Sequence, residues 1–263
     1  MNRAEMRVDF DVAMEVACHE ALIRQTYKDS KGILTWCVGM TSATGLPLPR
    51  LANKPVWSFC NDGSVMDLAA PDQSFVCFRE MALTLSGLRR FNGRGISIAQ
   101  HSVMGAQAIL NEGGTSLEAA LFLLHDGHEW ALGDITRPME DLLVGLLPTL
   151  AIREAIRRAK AGWDGAIYAA AGLPLPEFWT AHQRKLIKSM DDRMCRAEAI
   201  ALFGPRGASQ FPVSQTPKTT GAIRLWGAAK AEEAFSEMAR SLIGFENIVS
   251  QAAVAAAARA LRT

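Results

Sequence analysis

Cysteine is scarce and unpaired: Cys18, Cys37, Cys60, Cys77 and Cys195 are odd in number, scattered, and include no Cys-x-x-Cys pair. That leaves no disulfide framework to read, and reduced structural thiols in a cytoplasmic protein are the expectation. Charge of one sign is also missing. A formal net charge of +1, with no basic block interleaved with aromatics, gives no reason to expect a nucleic-acid surface. No apolar run is long enough to span a membrane, and Arg3, Glu5, Arg7, Asp9 and Asp11 rule out a signal-peptide apolar region at the N-terminus. There is no internal repeat. What remains is a chain of 263 residues, 49% of them hydrophobic, long enough for one large domain or two small ones around a substantial core.

What is present is a concentration of metal-binding side chains in Leu124-His125-Asp126-Gly127-His128-Glu129. Leu117, Ala120, Leu121, Leu124, His128 and Ala131 follow the three-and-four spacing of a buried helical face, which predicts a helix over 116–131 and sets His125 and Glu129 one turn apart. Adjacent His and Asp offer a metal two ligands of different hardness. Further ligands must come from other helices. His101 lies near the start of a helix predicted over 98–111. Asp191 falls on a stripe with Ile187, Met190, Met194, Ala197 and Ala201, whereas Asp192 points away from it. A carboxylate buried beside Met and Ile is costly unless a cation or hydrogen bonds compensate it, which favours Asp191. Two His and two Asp suit a divalent ion such as Mn, Co, Zn, Fe or Mg, with positions open to water.

Five blocks stand in order along the chain: Arg90-Phe91-Asn92-Gly93, Ser97-Ile98-Ala99-Gln100-His101-Ser102, His125-Asp126-Gly127-His128-Glu129, Gly133-Asp134-Ile135-Thr136-Arg137-Pro138, and Asp191-Asp192-Arg193 with Glu198. Together they resemble the HD-domain metal-dependent phosphohydrolases, in particular the branch containing 5′-deoxynucleotidases and phage-type deoxynucleoside triphosphate hydrolases. The resemblance runs from about Trp57 to Ile243. It implies His101, His125, Asp126 and Asp191 as metal ligands, Glu129 and Asp134 as catalytic carboxylates acting on the attacking water, and Arg90 facing a nucleotide. Glu198, seven residues after Asp191, would hydrogen-bond a ligand from behind. The resemblance also implies a small-molecule nucleotide substrate and a homo-oligomer. Plainer readings stand beside these: a helix cap for Asp134, an exposed arginine beside a core Phe for Arg90, a surface salt bridge for Glu198. His128 is either a substrate-binding or supporting group or a packing residue, with packing slightly favoured; relatives often carry a small or apolar residue there. Ile96 also departs from the aromatic common in relatives. His19 and His182 read as hydrogen-bonded core histidines.

Residues 1–55 fall outside that pattern. Val12, Val16 and Ile23 keep helical spacing, the helix ends near Tyr27-Lys28-Asp29-Ser30-Lys31-Gly32, and 33–39 reads as a strand. The segment His19 to Gly45 resembles the start of phage-type lysozymes, with Glu20, Asp29 and Thr35 at the positions of that family's acid, second carboxylate and threonine. The lobe that would close a sugar cleft has no room before the HD pattern begins, so the segment reads as an incomplete remnant. Both resemblances point to a phage or prophage setting.

The division expected is therefore 1–55, a short α+β lysozyme-like segment, and 56–263, a mainly α helical bundle of HD type with a small β-hairpin at Val56–Phe59 and the turn 61–64. Helices are predicted over 75–88, in one or two pieces over 142–171, around Asp191, and over 228–242. Ile223–Trp226 reads as a strand pairing near Trp57. The Ala-rich tail 247–262 is helix-prone but offers little bulk, so it should lie against a neighbour or fray. The functional expectation is hydrolysis of a (deoxy)nucleotide phosphate ester or α-phosphate linkage by a metal-activated water. The alternatives are a muramidase built on Glu20, Asp29 and Thr35, and a catalytically silent nucleotide sensor that docks a partner.

Overall fold

The structure, a computed structural model, describes residues 50–146 and 150–260 together with the backbone of two strands at 26–28 and 34–36. Those residues are mainly helical. The predicted N-terminal helix, and with it Glu20 and Asp29, lies outside them. Strand β1 (Thr26–Lys28) pairs antiparallel with β2 (Leu34–Trp36), so that Thr35 sits opposite Tyr27. A second hairpin joins β3 (Trp57–Phe59) to β4 (Val65–Asp67) across a turn in which Gly63 takes φ +86°. Arg50 and Leu51 are already tied to this hairpin, Arg50 Nη2 to Asp67 at 2.8 Å and the Leu51 N–H to Ala69 O at 2.7 Å.

Helix α1 (Phe78–Gly87) begins later than the predicted Phe75, because Asp72 caps a separate 3-10 turn over Gln73–Phe75. A single turn, α2 (Arg90–Gly93), leads into α3 (Ile98–Asn111), which Ser97 caps by accepting from the Gln100 N–H at 3.1 Å. Eleven of the fourteen residues of α3 are buried, which makes it the central rod of the domain. Helix α4 (Ser116–Leu123) opens on a reciprocal capping box between Thr115 and Glu118. It packs against α3 at Gly105, where an added Cβ would stand 2.1 Å from the Phe122 ring.

The predicted helix over 116–131 is broken. After Leu123 the chain turns through 124–128 before the one-turn helix α5 (Glu129–Leu132). Here N–H groups reach back three residues instead of four: His125 to Phe122, Gly127 to Leu124 and Glu129 to Asp126. The side chain of His125 takes the same Phe122 carbonyl, so a backbone acceptor of the helix end is shared with a ring nitrogen. His125 and Glu129 are consequently not neighbours on one helical face.

Helices α6 (Arg137–Leu146) and α7 (Leu150–Ala170) resolve the predicted stretch into two pieces. Helix α8 (Ala181–Phe203) starts on a second capping box, Thr180 with Gln183, and is followed by the short α9 (Pro205–Ala208). Ile223–Trp226 is not a strand. Gln100 uses both ends of its amide on this segment, donating to Arg224 O at 2.7 Å and accepting from the Trp226 N–H at 3.0 Å, so one side chain does the work of a pairing strand. Helix α10 (Ala228–Ile243) buries Ala231, Phe235 and Ala239 against α1, α3 and α4.

The tail forms α11 (Phe245–Ala260) and docks on its own domain. Buried Gln251 donates to Gln73 O at 2.6 Å and Val76 O at 2.9 Å, and Arg259 pairs with Asp62 and Glu80. Polar side chains supply the attachment that the alanines lack. Among the described residues no single helix is long and apolar enough to cross a membrane; α10 and α11 together meet that test but are bent by 110°.

Candidate metal centre

Three elements bring the four ligand candidates together: α3 carries His101, the turn after α4 carries His125 and Asp126, and α8 carries Asp191. His101 Nε2 and His125 Nε2 stand 3.4 Å apart. Asp191 Oδ1 lies 3.5 Å from His101 Nε2 and 3.9 Å from His125 Nε2; Asp126 Oδ2 lies 3.9 and 3.3 Å from the same two atoms. Ligand bonds of about 2.0–2.2 Å put ligand atoms roughly 3–4.4 Å apart, depending on the angle between the bonds, so these separations suit one shared divalent ion.

The tautomers argue the same way. His125 Nδ1 is 2.7 Å from the Phe122 carbonyl, which can only accept, so in the neutral ring, the form that binds a metal, that nitrogen carries the proton and Nε2 has the lone pair. His101 Nδ1 lies 2.5 Å from Glu198 Oε1. With Nδ1–H donated to that carboxylate, His101 Nε2 is likewise an acceptor. Two lone pairs and two carboxylates then face one another inside the protein, an arrangement that a cation satisfies. Burial lowers the pKa of His125, but Asp126 and then Asp191 outweigh it and raise it to about 9, the mark of a pocket with excess negative charge. Asp126 and Asp191 are held below the usual carboxylate range against their own burial, by His125 and Arg90 and by the two histidines respectively.

Arg90 stands at the rim. It is delivered by a turn in which Phe91 and Asn92 both take φ +53°, a left-handed conformation unusual outside glycine. Its Nη1 donates to Asp126 at 3.1 Å and its Nε to Glu198 at 3.1 Å, while Nη2 reaches Cys195 Sγ. Glu198 is wholly buried and joins Arg90 to His101, rather than forming a surface salt bridge. Asp192 is exposed and pairs with Lys188, so of the two adjacent aspartates Asp191 faces the cluster.

Glu129 is buried, and its pKa is raised to about 9 by that burial and by the charges of Asp126 and Asp134. Asp134 is half-buried and also raised, first by burial. It lies two residues before Thr136, whose backbone carbonyl accepts the Glu140 N–H in the first turn of α6. His128 is buried with Nδ1 2.8 Å from Asp164 Oδ1, a partner the sequence reading missed. The signal was available: Asp164 precedes Ile167 and Tyr168 by three and four residues on α7, at the edge of the core stripe, as Asp191 does on α8. A cavity of about 340 Å³ opens beside the cluster, bordered by His125, Asp191, Asp164, Tyr168, Trp179 and Lys188.

His182 is exposed and pairs with Glu118 at 3.1 Å, not with a core group. Cys60, Cys77 and Cys195 are free thiols. Of the lysozyme-like residues only the backbone of Thr35 is described, on β2. No protein-family model and no curated protein matches this chain.

Proposed function

We propose that this protein is a metal-dependent phosphohydrolase of the HD type acting on (deoxy)nucleotides, with residues 56–263 as its catalytic bundle. The observation that carries the reading is the convergence of His101 Nε2, His125 Nε2, Asp126 and Asp191, both histidines turned by their Nδ1 partners to present lone pairs to one point. These four would hold a divalent ion, with Mn, Co, Zn or Fe matching the imidazoles better than Mg. The ion, when bound, would act as a Lewis acid toward a phosphoryl oxygen and lower the pKa of water.

The protein's own groups do the rest. The cavity beside His125 and Asp191 would receive the nucleoside, with Trp179 and Tyr168 as aromatic walls. Arg90 is the fixed cation beside Asp126 and would offset charge on the phosphoryl group. Glu129 and Asp134 would orient the attacking water. Its oxygen bonds to phosphorus, the bond from phosphorus to the 5′ oxygen breaks, and a proton from the water ends on that oxygen. The products are a nucleoside with phosphate, or with triphosphate if the α-phosphorus of a triphosphate is attacked.

The test is release of phosphate and triphosphate from a panel of nucleoside mono-, di- and triphosphates. Chelated protein would be resupplied with Mn²⁺, Co²⁺, Zn²⁺ or Mg²⁺, alongside Asp126→Ala. Metal-dependent turnover absent from the variant is expected. No turnover from protein shown to carry the ion would overturn the reading and favour a nucleotide sensor.

A further inference from the structure

His128 and Glu129 are left unexplained by a single cation between His101, His125, Asp126 and Asp191. Both side chains are more than nine-tenths buried, at 5% and 6% exposure. His128 Nε2 and Glu129 Oε2 are nonetheless without a hydrogen-bond partner. A buried acceptor with nothing to accept costs roughly 1–3 kcal/mol, so two side by side call for an explanation. Ligand atoms of Asp126, His128 and Glu129 all lie within 4.8 Å of one another.

The ring of His128 is oriented as a ligand would be. Asp164 Oδ1, 2.8 Å from Nδ1, fixes the proton there and leaves Nε2 a lone pair. It stands to His128 as Glu198 stands to His101 and the Phe122 carbonyl to His125. A carboxylate behind a histidine that presents its other nitrogen is the usual support of a metal-binding imidazole. We propose that Asp126, His128 and Glu129 form a second cation site, which shares the Asp126 carboxylate with the first and takes a divalent first-row transition ion.

Another cluster with ligand character, Cys60, Asp62 and Glu80, does not compete. Arg259 already places a positive charge on both of its carboxylates. The second site rests on the phosphohydrolase reading and changes the part of Glu129 within it, from orienting water alone to holding an ion. Paired cations can stabilise both the attacking and the leaving oxygen of an in-line displacement.

The test is metal stoichiometry of the full chain, by equilibrium dialysis against Mn²⁺ and elemental analysis, with electron paramagnetic resonance of the loaded protein. Two Mn²⁺ per chain and a spin-coupled signal are expected. His128→Asn and Glu129→Gln should each fall to one Mn²⁺ and lose the coupling; if one variant does not fold, the other carries the comparison. One Mn²⁺ in the unmodified protein would overturn the second site and leave the first intact. None would overturn both. Two that persist, coupled or not, in the variants would place the extra ion elsewhere and overturn the assignment.

Discussion

Glu198 Oε1 lies 2.5 Å from His101 Nδ1, and both side chains are closed to solvent. The other oxygen of the same carboxylate accepts from Arg90 Nε at 3.1 Å. Glu198→Gln keeps the shape but offers one acceptor where two donors need one each. If the amide N–H₂ faces His101, the imidazole proton is driven to Nε2 and the ligand lone pair is lost. If it faces Arg90, two donors collide. Either way, metal affinity measured by competition with a chelator should fall about 10- to 100-fold, as for other losses of a group behind a metal-binding histidine.

Gly105 governs the same centre from α3. Phe122, whose ring its missing Cβ would strike, stacks on His125 with centroids 4.2 Å apart. Gly105→Ala should therefore cost about 1–3 kcal/mol of stability by overpacking and also weaken metal binding by displacing His125. Gly145, near the end of α6, has open space around it. There the same change should leave metal affinity unaltered and raise stability by about 0.5–1 kcal/mol. Denaturation and chelator competition on the two variants separate a packing effect from a general glycine effect.

The cluster of His101, His125, Asp126 and Asp191 was legible as a candidate site because burial is periodic. Asp191 interrupts an apolar stripe of α8, and a carboxylate in that position asks for a cation. What periodicity could not reveal is the break after Leu123. Leu124, His128 and Ala131 keep the spacing of a continuous helix, and only the Phe122 carbonyl, shared between the His125 ring and main chain, shows why it ends. Partners far apart in sequence were hidden for a different reason. The core-edge position of Asp164 could be read from its helix, but nothing local names His128 as its partner, or links Gln100 to Arg224 and Trp226.

The C-terminal helix makes the same point for the fold. Its alanines predict helix but give no reason to dock, and the attachment comes from Gln251, whose amide nitrogen satisfies the carbonyls of Gln73 and Val76. Gln251→Ala leaves the Val76 carbonyl without its Gln251 donor beneath α11, while Gln73 O keeps the Val76 N–H. A loss of about 1–3 kcal/mol in urea unfolding is expected, together with faster amide exchange along α11. An unchanged midpoint and exchange rate would assign the attachment to Arg259, to the Asn247 bond to Ala171 O and to the apolar contacts of Ile248 and Ala255.

Glu129 makes its own contribution to the pH dependence of the metal-free protein. Its folded pKa of about 9 lies above the ordinary value of 4.5, so between those limits the folded state binds more protons than the unfolded state. Stability contributed by this group is complete below pH 4.5 and is lost as pH rises toward 9. Glutamine mimics the protonated form at every pH. Chelated Glu129→Gln should thus melt with the unmodified protein near pH 4 and above it at pH 8. The cause is specific, burial together with the charges of Asp126 and Asp134, so Asp134→Asn should narrow the gap by lowering the pKa of Glu129. A divalent cation beside Asp126 favours the ionised carboxylate and works against the shift. Saturating Mn²⁺ should therefore close or invert the difference at pH 8, whereas a gap independent of both pH and Mn²⁺ would assign the effect of the substitution to packing.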